Sequence, residues 1–133
     1  MLGSNEHGIH CLNRLNGQIK LILGNHDTNT RKQLYENLYN VEVMPGWSMP
    51  FDYNKYHFWL SHHPTITSNM EKSPEIRRHL INLYGHTHQK DKFYQDQPFM
   101  FHVGLDSNNN TPILIDDIIE EIKKKVNECY SFL

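Results

Sequence analysis

Residues 80–88 read Leu80-Ile81-Asn82-Leu83-Tyr84-Gly85-His86-Thr87-His88. A short apolar run stops at a glycine and gives way at once to two histidines. A run of this length reads as a buried strand. Strand ends followed by glycine turns are where open α/β sheets place their ligands. Two other stretches repeat the pattern. Gln18 to Leu23 ends in Gly24-Asn25-His26-Asp27, and Tyr56 to Leu60 ends in Ser61-His62-His63-Pro64. The glycines let backbone approach closely, and the loops aim side chains into a common space.

Working outward, Asn5 to Leu15 reads as a helix capped by Ser4 or Asn5, with Ile9, Leu12 and Leu15 on one face. Asn16-Gly17 breaks it. Thr28 to Thr30 offer caps for a second helix over Arg31 to Tyr39, and Val41 to Val43 reads as a strand. Met49 to Tyr53 and Tyr56 to Leu60 flank Asn54-Lys55 as a hairpin. A polar loop follows Pro64, with a helical turn around Pro74 to His79. Phe99 to Val103 is a further strand. Asp116 to Cys129 is an amphipathic helix with Ile118, Ile119, Ile122, Val126 and Cys129 as its stripe. Leu114 stands at its start, where a small polar cap is absent. No internal repeat is present. The mixture of strands and helices reads as α/β or α+β, in one domain over residues 1–133.

Composition narrows the function. The chain has 133 residues, 13 Lys+Arg against 15 Asp+Glu, and a formal net charge of −2. That balance argues against a nucleic-acid binder held by phosphate contacts. The mean hydropathy is −0.68. No apolar run approaches the ~20 residues that span a bilayer, and Met1-Leu2-Gly3-Ser4 shows no signal peptide, so a cytoplasmic protein away from membranes is expected. Cys11 and Cys129 form neither a disulfide framework nor a CxxC motif. Ten histidines stand out, while alanine is absent.

The chemistry on offer is neutral imidazole with one amide oxygen, a donor set that suits divalent Zn, Mn or Fe. In extended chain, His86 and His88 point the same way. Adjacent His62 and His63 do not, so one is a ligand candidate and the other supports or packs. His7 and His10 read as a solvated helix face. Glu6, Asp91 and Asp106 are stray carboxylates. His102 reads as packed on a strand or supporting a ligand rather than as a ligand itself, and His57 and His79 as surface. Trp47, Phe51, Tyr53, Phe58 and Trp59 alternate with polar residues and read as sheet packing. Lys123-Lys124-Lys125 lies where cations meet the negative end of a helix dipole.

GNHD, then HHP, then GHTH resembles the calcineurin-like metallophosphoesterase superfamily. NRLNGQIKLILGNHD, LYGHTHQ and VGLDSNNNTPI are similar to its small phage and bacterial phosphoesterases, over about Leu12 to Lys124. The resemblance implies a two-sheet β-sandwich flanked by helices and a two-metal site filled by Mn, Fe, Zn or Ni. It implies Asn25, His62 and His86 on one metal and His88 on the other, His62 being chosen because the family ligand lies two residues before the proline. It implies His26 beside the scissile phosphate as acid or transition-state donor, with Asp27 orienting it, and a structural role for Asp106. Two metals activate a hydroxide and neutralise phosphate oxygens, and a protonated histidine serves the leaving alkoxide. The substrate implied is a phosphomonoester or phosphodiester, with nucleic acid entering only as a substrate.

The superfamily's opening Asp-x-His and Gly-Asp motifs are not in the sequence, and the expectation is a domain truncated at its N-terminal side. The second metal then keeps only His88, and one ion per chain is the alternative to two. Completion would come from a homodimer or a complementing N-terminal fragment. The competing function is a catalytically incomplete remnant, a metal- or phosphate-binding module. A cupin barrel also uses Gly-x-His-x-His, but Gln89-Lys90-Asp91-Lys92 stands where its glutamate falls.

Overall fold

The computed structural model describes residues 3–65 and 73–131, with three α-helices and six strands among them. The polar loop expected after Pro64 lies largely outside the described residues. The chain is a mixed α/β protein that divides into two compact units, residues 1–49 and 50–133.

In the first unit, α1 (Asn5–Asn13) starts where the Ser4 side chain accepts the His7 N–H at 3.2 Å. It ends before Gly17, whose φ of 85° suits glycine. β1 (Ile19–Leu21) and β2 (Val41–Val43) pair in parallel, Ile19 opposite Val41 and Leu21 opposite Val43. Parallel neighbours need a crossover, and α2 (Asn29–Glu36) supplies it. Thr28 caps α2 by accepting the Arg31 N–H, so this helix begins two residues before the expected Arg31 and ends before Tyr39. Leu12, Leu23 and Tyr35 form the unit's buried core, with Ile9, Ile19, Leu21, Leu38, Val41 and Val43 packed against it.

In the second unit, β3 (Ser48–Tyr53) and β4 (Tyr56–Ser61) flank the two-residue turn Asn54-Lys55. Both turn residues have positive φ, 52° and 65°, the conformation a tight hairpin demands. β5 (Leu80–Tyr84) and β6 (Met100–His102) complete a sheet of order β3-β4-β5-β6, parallel from β4 onward. α3 (Ile115–Tyr130) lays Ile118, Ile119, Ile122 and Val126 into a cluster with Phe58, Ile81, Leu83, Phe99 and Phe101. Fully burying each such side chain stabilises by roughly 1.5–3 kcal/mol. α3 starts at Leu114 with no side-chain cap.

Asn82 and Tyr84 alternate with Ile81 and Leu83 along β5, yet all four are buried. A parallel strand covered on both faces has this character. His79, read from sequence as surface, is 2% exposed: its ring stacks on Phe99 at 3.8 Å and its Nε2 meets the Ser73 carbonyl at 2.8 Å. Its apolar ring face explains the difference, because stacking covers it while one ring nitrogen keeps a partner. Of the expected sheet aromatics Phe58 is buried, whereas Trp47 and Phe51 are exposed. No helix among the described residues is long and apolar enough to cross a membrane.

Candidate metal centre

Parallel pairing of β4 and β5 sets Ser61 opposite Tyr84, so the two strands end side by side. The residues that follow them, His62-His63 and Gly85-His86, therefore emerge at one edge of the sheet. The Gly85 N–H donates to the His62 carbonyl at 3.0 Å and ties the two exits together.

His62, His63 and His86 converge there, each offering one ring nitrogen, and the three nitrogens lie within 4.8 Å of one another. His62 Nε2 and His86 Nδ1 are 3.1 Å apart. The His63 and His86 ring centroids are 4.2 Å apart, those of His62 and His63 4.8 Å, and those of His62 and His86 5.0 Å. A tetrahedral ion held at about 2.0–2.1 Å by two imidazoles places their nitrogens roughly 3.3 Å apart. The His62–His86 pair comes close to that separation as it stands. Three neutral nitrogens suit a late first-row divalent ion, and this group can hold one.

His63 corrects the sequence reading, which admitted only one of the adjacent pair. Neighbouring side chains diverge in a strand, but β4 ends at Ser61 and the chain bends at His62 and His63. Pro64, with no N–H to offer a ladder, marked the end of the strand, but nothing in the sequence marked the bend itself. The GHTH segment is not extended either. His86 and His88 both have left-handed backbone, at φ 62° and 48°. The group of three does not include His88, whose Nδ1 lies 3.0 Å from Asp106 Oδ2.

Asp106 is carried by a tightly bonded turn. The His102 ring, 1% exposed, meets Ser107 Oγ through Nδ1 at 2.9 Å. Asn108 Nδ2 donates to the carbonyls of His102 and Gly104 at 3.1 and 2.8 Å. Burial pushes the His102 imidazole below its ordinary pKa, while the Asp106 charge opposes that shift. Burial also pushes the Tyr84 phenol up to about 12, against the Gln89 amide that donates to it at 3.0 Å.

Asn25, His26 and Asp27 belong to the first unit, on the turn between β1 and α2. Asp27 Oδ2 accepts the Gly24 N–H at 2.9 Å, and the Asp27 N–H returns to the Gly24 carbonyl at 3.0 Å. The aspartate thus closes its own turn. Asn25 and His26 are exposed on it, and Arg31 donates to the His26 carbonyl at 3.2 Å, to Asn5 Oδ1 at 2.9 Å and to the Gly3 carbonyl.

No protein-family model, no curated protein and no solved structure matches this chain.

Proposed function

We propose that the chain is a metal-dependent phosphoesterase acting on a phosphomonoester or phosphodiester. The observation that supports this most is the convergence of His62, His63 and His86 at adjoining strand ends. The residues that would hold the metal are these three. An all-imidazole set adds no negative charge, so a bound dication keeps its full attraction for a phosphate oxygen. When bound, such an ion supplies Lewis-acid polarisation and a water acidic enough to ionise near neutral pH.

The remaining roles rest on the resemblance. His26 serves as proton donor to the leaving oxygen, and Asp27 holds the turn that presents it. Asn25 is a further ligand and His88 a ligand of the other metal, its Nδ1 lying against Asp106. The two-sheet sandwich flanked by helices, a cytoplasmic setting and completion by a second copy or fragment belong to the same proposal.

The pairing of His88 with Asp106, apart from the three-histidine group, favours a second reading: a module that binds one ion and does no chemistry. Both are tested on the full chain loaded with Mn, Zn or Ni, using nitrophenyl phosphate and bis-nitrophenyl phosphate. Metal-dependent nitrophenol release that is lost in His26→Ala and His86→Ala supports the esterase. One tightly bound ion without turnover under any of the three metals refutes it and leaves the module.

A further inference from the structure

Asn82 is a polar residue at 0% exposure in the middle of an apolar strand. Asparagine is a poor strand former, and an amide buried without partners is costly. Here both amide hydrogens and the oxygen are engaged. Nδ2 donates to the Trp59 carbonyl and to Ser61 Oγ, each at 2.9 Å, and Oδ1 accepts the Thr65 N–H at 2.8 Å. All three partners lie in residues 59–65, the end of β4 and the bend beyond it.

Ser61 passes the constraint onward. Its hydroxyl, held by Asn82, donates to the His63 carbonyl at 2.6 Å. The Thr65 hydroxyl reaches Ser61 Oγ and the same carbonyl, each at 3.2 Å. The bend that turns consecutive histidines to one side is thus pinned at both ends by one buried amide. Asn82 also stands three residues before Gly85 on the strand that delivers His86. It therefore joins the two segments from which the three imidazoles come. A leucine of similar shape would suit this apolar strand and would hold neither segment to the other.

We infer that Asn82 is a positioning residue for the His62–His63–His86 metal centre, clasping the bend that carries two imidazoles to the strand that carries the third. This rests on the metal centre proposed above. Hydrogen bonds from side chains beyond the ligands commonly set metal affinity by 10–100-fold, and the same scale is expected here.

The test uses the full chain and Zn or Ni alone, titrated against a chromophoric chelator, with unfolding midpoints taken on the same samples. The parent chain binds one ion through these histidines, and His86→Ala loses it. Asn82→Leu and Ser61→Ala weaken binding at least tenfold, and Ser61→Thr, which keeps the hydroxyl, restores it. Val126→Ala, a core change in α3 that lowers stability, leaves affinity unchanged. If Asn82→Leu does not fold, Ser61→Ala and its threonine rescue decide the matter. Parent affinity in a folded Asn82→Leu, or in Ser61→Ala, overturns the clasp while the metal centre stands. A parent chain that binds no ion, or a His86→Ala chain that binds as tightly, overturns the metal centre itself and the clasp with it.

Discussion

Gly104→Ala adds one methyl group and is expected to destabilise the second unit. Gly104 has φ −61° and ψ 150°, an extended conformation open to any residue, so its backbone does not demand glycine. On backbone entropy alone, alanine would stabilise by about 0.4–1 kcal/mol. The neighbouring ring reverses that sign. A Cβ at Gly104 would lie 2.6 Å from both Cε1 and Nε2 of His102. Carbon atoms rest at about 3.5–4.0 Å, so the overlap is roughly 1 Å. The ring has little room to retreat, being 1% exposed and hydrogen-bonded through Nδ1 to Ser107 Oγ. The backbone is held too, because the Gly104 carbonyl accepts from Ser107 Oγ at 3.1 Å and Asn108 Nδ2 at 2.8 Å. Overpacking of this kind costs about 1–3 kcal/mol, which at mid-range leaves a net loss of roughly 1.3 kcal/mol after the entropy gain. With a urea slope of about 2 kcal/mol/M, the middle of the usual range, that mid-range loss lowers the midpoint by roughly 0.6 M. A double-mutant cycle with His102→Ala isolates the clash: without the ring, the added methyl no longer destabilises. A Gly104→Ala midpoint equal to or above that of the parent chain would refute the packing argument.

Two further outcomes are expected. His63→Ala lowers Zn affinity at least tenfold, about the smallest effect expected of removing a ligand when supporting contacts alone are worth that much, whereas His57→Ala, an exposed ring paired with Asp52 at 2.8 Å, leaves it unchanged; equal affinities measured by chelator competition would remove His63 from the site. The second concerns pH. Burial depresses the His102 pKa, so below about 6.5 the unfolded chain binds a proton that the folded chain resists. Its contribution to stability is therefore full above that pH and shrinks as pH falls toward the folded-state value. Urea midpoints compared at about pH 7.5 and 5.5 should show a smaller acid loss for His102→Gln than for the parent chain, and identical losses would discard His102 as the cause.

Much of the fold was legible because local chemistry dictated it. Asn54-Lys55 marked the hairpin, the Thr28 to Thr30 stretch held the cap of α2 although the helix was expected only from Arg31, and the Ile118, Ile119, Ile122 and Val126 stripe marked α3. Boundaries moved where no strong signal stood: β1 spans Ile19–Leu21 rather than the whole of Gln18 to Leu23, and α2 stops at Glu36. His79 was misread because a histidine can bury its ring face against an aromatic while one nitrogen finds a carbonyl, and sequence shows neither partner.

The sequence by itself determined that three strand ends would carry glycine or proline with histidine, and hence that imidazoles would gather in the loops beyond them. It also determined the apolar runs that bury β4 and β5 beneath α3. Only the tertiary structure decided which imidazoles meet. The parallel register of β4 and β5 brought His62 and His63 beside His86. The bend held by Ser61 and Asn82 put neighbouring side chains on one side, and left-handed backbone at His86 and His88 accompanied the turn of His88 toward Asp106. The physical reason is that residue spacing predicts side-chain direction only while the chain stays regular. At the strand ends, long-range hydrogen bonds from residues far away in sequence set the direction instead.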